Sequence, residues 1–451
     1  MLTNSGAGSD LETEPDDLFD ARFVTNYAEG DMPLPTSATL TPLDPARHVR
    51  ELIFIEAPVV STQARFDHRR ILIPDIDLSA YRFKAVIDFI VVRVFTRRTQ
   101  HQWIQDDLRT VLPCDSWILP INPGAGNVAE EFDIKIQEPR STTVVVAAIE
   151  AVSRNRGERR APHIREIEFS LDVYSRAGDD EPREKMVGLL QRTYFAETVR
   201  WQNDRDMPRT TAMHLGESGP APQTRHLTPG MGEKRDPSRT VRPEPDEFTS
   251  PFLEGTMYLG EKDTSGMIRI QNKVKDQQYP EQGTFNALDA TEARARVEVT
   301  LQVCDLELLG LRELQDLEGF SYAKLQRKYF QFMLPTFAGE NPEKSSGINA
   351  VIGLDEQKRA DVFLKSGVLA LLRRDDIWKD YKDSERPELK KVFSLQGWSV
   401  TRNRAGTGSH STMMSYDLLN KQVATAFRHL GDREKRAWMK RKKDGGSSSA
   451  V

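Results

Sequence analysis

Cysteine is nearly absent: Cys114 and Cys304 are the only two in 451 residues. That count excludes a disulfide framework, and with no C-x-x-C or H-x-x-x-H spacing it also excludes the common zinc sites, which fits a cytoplasmic chain. Long apolar runs are missing as well. No window approaches 18 consecutive apolar residues, so no transmembrane helix and no membrane partner are expected. The opening MLTNSGAGSDLETEPDD has neither a basic start nor an apolar stretch, and predicts no secretory leader. The eight histidines include no His-x-His pair, which disfavours an HUH nuclease. No G-x-x-x-x-G-K-[ST] occurs, which removes a P-loop ATPase, and no G-x-S-x-G elbow is present. The loop INPGAGN could cradle a phosphate but reads as a turn.

Charge of one sign is in excess only at the start. The net charge is −5, but residues 1–40 hold eight Asp/Glu and one Arg, leaving 62 basic against 60 acidic residues in 41–451. Local arrangement therefore matters more than the total. The acidic, proline-containing stretch 1–45 shows no apolar periodicity and predicts a disordered arm. A strand is expected over 86–95 (VIDFIVVRVF), a helix over 99–112, a strand over 132–136 and a helix over 141–153. Residues 203–250, with seven prolines and no periodicity, predict a linker or insertion. Strand-like runs resume up to about 303, followed by helices between 305 and 335. A mainly helical C-terminal module is expected over 341–432, including 360–372 and 415–430, and then a basic flexible tail, 433–451. On this division the core has two halves, 46–202 and 251–340.

Three segments alternate cleanly between polar and apolar residues. In REIEFSLDVY, Glu166, Glu168, Ser170 and Asp172 share a face; in MIRIQNK, Arg269, Gln271 and Lys273 do; in RARVEVTL, Arg294, Arg296, Glu298 and Thr300 do. One reading is an antiparallel sheet with one solvated side. The other is a platform where carboxylates hold a divalent metal, Mg²⁺ or Mn²⁺, and Arg and Lys hold phosphates. Glu168 and Asp172 lie roughly 13 Å apart along a strand at about 3.3 Å per residue. A single ion would therefore pair one of them with Glu298 from a neighbouring strand. The segment GTMYLGEKDTSGMIRIQNK reads as a hairpin that places Tyr258 near its loop, where a phenolate could attack a phosphodiester. An ordinary packed aromatic is the other reading of that tyrosine.

In this order the segments resemble the trans-acting Rep initiators of small rolling-circle plasmids and some phages, a type distinct from HUH nucleases. The family's opening strand and helix are matched by IDFIVVRVF. Its R-I-D-x-x-x-D strand is matched by EIEFSLD, its T-x-Y-x-G by TMYLG, its loop serine by Ser265, its R-x-Y-[DE]-K by RIQNK and its R-x-E by RVE. The resemblance covers roughly 85–303, broken by 203–250. It implies an α+β protein with curved antiparallel sheets and helices on one side. It also implies metal-region acids at Glu168, Asp172 and Glu298, DNA-facing bases at Arg269, Lys273 and Arg296, and a tyrosine nucleophile. Family members nick an origin, stay joined to the 5′ phosphate, and act as dimers with a host helicase. Gln271 stands where the family has one of its two tyrosines. If that tyrosine is the nucleophile, the chain is a non-catalytic DNA-binding or regulatory relative. If Tyr258 matches the nucleophile, the chain is a strand-nicking initiator of a plasmid or mobile element. A structural interaction protein with merely solvated charges is the third reading.

Overall fold

A computed structural model describes residues 33–42, 46–61, 63–195, 211–214, 224–226, 253, 256–259, 266–279, 284–339, 346–395 and 413–446. The fold is α+β, and every strand pairing in it is antiparallel. The chain opens with β1 (Ser37–Leu40), β2 (Arg50–Pro58) and β3 (Arg69–Pro74). It continues through β4 (Tyr81–Gln100), α1 (His101–Arg109), β5 (Trp117–Ile121), β6 (Val128–Gln137), α2 (Thr142–Arg156) and β7 (Arg160–Ser175). After α3 (Asp180–Thr193) come the short β8 (Tyr194–Phe195), β9 (Thr211–His214) and β10 (Thr224–His226). Next are β11 (Thr256–Leu259), β12 (Met267–Lys273), β13 (Lys275–Tyr279), β14 (Thr284–Ala287) and β15 (Arg294–Gln302). The chain closes with α4 (Val303–Leu309), α5 (Tyr322–Tyr329), β16 (Gln331–Ala338), α6 (Ser346–Leu395), β17 (Met413–Ser415) and α7 (Asp417–Gly446).

The larger sheet has nine strands in the order β10-β9-β11-β12-β15-β7-β4-β6-β5; the smaller runs β1-β2-β3-β16-β17, with β8 also on β16. β13 and β14 form a separate hairpin. β4 is 20 residues long, and its pairing with β7 slips between Ile87 and Phe89, Val91 and Val92, and Arg93 and Phe95. Each slip marks a bulge or irregularity, the kind of feature that bends and twists a strand. The apolar alternates of β7, β12 and β15 (Phe169, Leu171, Ile270, Val297, Val299) are fully buried. α3 packs across these three strands and also reaches β1, β2 and β16, so it joins the two sheets. The approach is close at Gly188, where a Cβ would stand 2.6 Å from Leu40 Cδ2.

Four expectations change here. The arm predicted over 1–45 stops early: Ser37–Leu40 is a strand paired to β2, with Leu34, Ala38 and Leu40 buried. The linker expected at 203–250 contributes β9 and β10, which extend the larger sheet beyond β11. The helices expected between 305 and 335 end at Tyr329. Residues QFMLPTFA form β16 instead, rich in aromatics and holding Pro335, which a helix interior does not accommodate. The basic tail is not a free end, because α7 runs unbroken through 433–443. Its Glu434 carboxylate accepts from Thr142 N at 2.8 Å and from Thr142 Oγ1, while Trp438 Nε1 donates to Thr142 Oγ1 at 2.9 Å. A carboxylate at the first turn of α2 satisfies an orphan N–H and meets the positive end of the helix dipole.

The C-terminal helices join the same core as the sheets rather than standing apart. α6 turns at Gly367, whose φ of 83° suits glycine. A Cβ there would strike the Arg192 backbone at 2.6 Å. The wholly buried Arg192 guanidinium donates to Leu364 O at 2.6 Å, answering a carbonyl that the break leaves open. No helix among the described residues is long and apolar enough to cross a membrane.

Candidate active site

The alternation in β7, β12 and β15 fixes which side chains meet. β12 pairs with β15 so that Arg269 faces Glu298, Gln271 faces Arg296 and Lys273 faces Arg294. β15 pairs with β7 so that Arg296 faces Asp172, Glu298 faces Ser170 and Thr300 faces Glu168. Direct and diagonal cross-strand neighbours on one face are within reach of long side chains. The polar face of three strands, β7 lying far from β12 and β15 in the sequence, is thereby drawn into one cluster.

That face is buried along β7 and β15 and only part-exposed along β12. Glu168 is 1% exposed, Asp172 and Glu298 2%, and Arg296 4%. Buried charges persist only when paired, and these are. Arg269 Nη2 lies 2.8 and 2.9 Å from the two Glu168 oxygens, and its Nε is 2.7 Å from Glu298 Oε2. Arg296 donates to Asp172 Oδ2 at 3.0 Å, Asp88 Oδ1 at 2.9 Å and Glu298 Oε1 at 3.2 Å. Arg294 Nε stands 3.2 Å from Asp172 Oδ1. Gln271 Nε2 donates to Glu298 Oε2 at 3.0 Å, and the Thr300 hydroxyl donates to Glu168.

Asp88 was not among the residues singled out from the sequence, yet it completes the centre. Oxygens of Asp88, Glu168 and Glu298 all lie within 4.8 Å of one another. Asp172 is held apart on Arg294 and Arg296, so the acidic group is Asp88, Glu168 and Glu298 rather than Glu168, Asp172 and Glu298. The signal for Asp88 was a lone carboxylate inside the apolar run IDFIVVRVF. The bulge between Ile87 and Phe89 sets it beside Glu168. The two carboxyls titrate apart. Burial pushes Glu168 up to about 7, with Glu298 and Asp88 adding to the rise against Arg269. Burial also raises Asp88, but Arg296 and the hydrogen bond from Glu168 outweigh it and hold Asp88 below the usual carboxylate range. Near neutrality Glu168 therefore gains and loses a proton beside an Asp88 that is held ionised, the split of environments that marks acid–base pairs.

Three carboxylates at this spacing are hard oxygen donors of the kind Mg²⁺ and Mn²⁺ take. The fully buried Ser170 hydroxyl, opposite Glu298 in the register, has no hydrogen-bond partner, leaving one further oxygen beside them. The donor set therefore fits such an ion. Asp88, Glu168 and Glu298 would hold it, and it would supply positive charge for a phosphodiester in displacement. In the structure Arg269 supplies that charge between Glu168 and Glu298. Lys273 is turned toward Asp276, 2.8 Å away. Lys135, from β6, projects over the Phe89 ring at 3.5 Å and feels both Glu168 and Glu166. Tyr258 sits in β11 opposite Arg269 in the register, next to the centre along the sheet; its side chain and Ser265 lie outside the described residues.

No family model matches the chain, and no curated protein does. Among solved structures the chain is similar to a rolling circle replication initiator protein from Geobacillus stearothermophilus, at 12% identity, over 62% of this chain and 96% of that one, with a TM-score of 0.22. At that TM-score the two backbones do not superpose as wholes, so the likeness assigns this chain neither fold nor activity.

Proposed function

We propose that this chain is a DNA-binding replication initiator of the rolling-circle type that cuts one strand with Tyr258 at the carboxylate centre. One observation carries the reading. Arg269 touches both Glu168 and Glu298, and the strand position opposite Arg269 is that of Tyr258, so three residues named from an ordered sequence pattern meet and the fourth is on the neighbouring strand in register with them. In the proposed step the Tyr258 phenolate oxygen forms a bond to phosphorus and the P–O3′ bond breaks. The products are a 5′-phosphotyrosine and a free 3′ hydroxyl, and the phosphodiester energy is kept for rejoining. Glu168, titrating near 7, is the group in the centre suited to exchange a proton at neutral pH. Arg269, part-exposed, would meet the phosphate, buried Arg296 would hold the carboxylates in place, and a divalent cation at Asp88, Glu168 and Glu298 would offset the charge.

A second reading is favoured by a different observation. Gln271 fills the family's tyrosine position, and its amide closes on Glu298 at 3.0 Å. With every carboxylate of the centre already answered by an arginine, the face would serve as a rigid scaffold for a DNA-binding protein that does not cut. Incubation of the protein with supercoiled DNA carrying its own gene region, with Mg²⁺ or Mn²⁺ and with neither, separates the two. Metal-dependent relaxation that leaves protein on a 5′ end and is lost in Tyr258→Phe is the expected result. Tight binding without a nick would install the second reading.

A further inference from the structure

β4 ends where β7 begins. Phe95 pairs with Arg160, and Arg159 N donates to Phe95 O at 2.9 Å. This seam sets residues 97–98 (RR) beside 154–160 (RNRGERR), a run split between the last turn of α2 and the start of β7. Arg97 lies along Gly157, where a Cβ would come 3.1 Å from its Nε, and Arg98 reaches toward Gly124 of the turn between β5 and β6. Arg156 is held on Asp107 at 2.6 Å and lies 5.6 Å from the Trp103 ring of α1. Arg160 stacks over Phe95 at 5.5 Å.

Six arginines and no lysine lie along this seam, with Glu158 in the same run. Two are answered, Arg156 by Asp107 and Arg159 by Glu130. Arg97, Arg98, Arg154 and Arg160 are exposed and have no carboxylate at ion-pair distance among the described residues. Beside them Trp103 is 49% exposed. Arg154 in the last turn of α2 meets the negative end of the helix dipole and Arg160 packs on Phe95, but the surplus of positive charge over Glu130 and Glu158 is left without pairing. Guanidinium forks match phosphate oxygens two at a time, which favours arginine over lysine at such sites. An exposed indole next to them is a stacking surface for an unpaired base. A bilayer surface is less apt, because the other exposed positions of α1 are Gln102, Asp106 and Arg109, with no apolar stripe to insert.

We propose that this seam binds single-stranded nucleic acid, with Arg97, Arg98, Arg154 and Arg160 on phosphates and Trp103 stacked on a base. It lies outside the carboxylate centre and stands or falls apart from the cutting reading. The test uses the full chain, a fluorescein-labelled oligothymidylate and a labelled duplex, titrated across a range of salt. Each pair, Arg97→Gln/Arg98→Gln and Arg154→Gln/Arg160→Gln, removes two phosphate contacts. Each is expected to flatten the slope of log affinity against log salt by about 1.4 for the single strand, at about 0.7 per contact. Trp103→Ala is expected to weaken the single strand roughly tenfold or more, to leave the slope unchanged and to spare the duplex. Wild-type affinity and slope in all three variants would overturn the proposal, as would losses seen only with phosphatidylserine vesicles. A protein that shows these slopes but never nicks keeps this inference and loses the cutting one.

Discussion

The larger sheet, with the end of α2 beside it, carries arginine in two places and treats it in opposite ways. In the centre, buried Arg294 and Arg296 and the part-exposed Arg269 are committed to Asp88, Glu168, Asp172 and Glu298. At the seam of β4 and β7, Arg97, Arg98, Arg154 and Arg160 stand in solvent without a carboxylate. The difference is one of necessity. A charge taken out of water must be paired or the fold loses several kcal/mol, so pairing in the centre follows from folding whatever the site does. An exposed charge needs no partner, and a cluster in which positive charges outnumber negative ones carries a net repulsion. Charge in the centre therefore speaks first about stability, and charge at the seam about something outside the chain.

The comparison is strained most by removing one arginine from the centre. Arg296→Met leaves Asp172, Asp88 and Glu298 with less cation than charge in a buried place, and a loss of about 3–5 kcal/mol is expected. The paired change Arg296→Met/Asp172→Leu removes both partners of the closest contact and is expected to recover much of that loss. Urea unfolding of both variants measures it. A cost under about 1 kcal/mol for Arg296→Met would mean that the centre is wet and its charges are not held by folding.

The next effect is a pH dependence that belongs to Glu168. The folded chain keeps its proton up to about 7, whereas the unfolded chain releases it near the ordinary value of 4.5. A raised carboxyl pKa means that the folded state binds the proton more tightly. Its contribution to stability is thus full below about pH 4.5 and is lost as pH rises through about 7, on the order of 3 kcal/mol in all. Glu168→Gln, which keeps the shape and cannot ionise, is expected to flatten the stability curve between pH 5 and 8. Asp88 shifts the other way, so its contribution is present above the usual carboxylate range and lost in acid, below that window. In the same window wild-type affinity for Mn²⁺ should rise with pH, because a cation at the centre competes with the Glu168 proton. An unchanged curve in Glu168→Gln would remove Glu168 as the proton-holding group.

Much of the centre was legible in the sequence because strand alternation is a local rule. Once REIEFSLDVY, MIRIQNK and RARVEVTL were read as strands, their polar faces followed, and antiparallel register brought Glu168, Glu298, Arg269 and Arg296 together. What alternation cannot give is a bulge. Asp88 joins the centre at the slip between Ile87 and Phe89, and Asp172 is parted from Glu168 by the rise of two pairs along β7. Nor does alternation say whether a polar face is wet: the same residues would suit an open surface, and only their burial decides. The seam was illegible for a different reason. Arg97 and Arg98 are nearly sixty residues from Arg154–Arg160, and no local pattern announces that β4 and β7 end side by side. The tail was misread because its lysines and arginines outnumber the two residues, Glu434 and Trp438, that anchor it to Thr142.

The smallest effect is the most discriminating for the seam. If Arg154 and Arg160 contribute nothing to folding, Arg154→Gln/Arg160→Gln should leave unfolding free energy within about 0.5 kcal/mol of the wild type, as exposed substitutions do. At low ionic strength the variant should even be slightly more stable, because the seam loses two of its surplus positive charges. That gain should fade by about 0.3 M salt, as the screening length falls below the roughly 10 Å it has at 0.1 M. Melting at three salt concentrations reads both signs. A loss above 1 kcal/mol at every salt concentration would show that these guanidiniums hold part of the fold, and the contrast between an answered centre and an unanswered seam would dissolve. A small gain confined to low salt, together with the flattened binding slope, is what separates a surface kept for a polyanion from one kept for the fold.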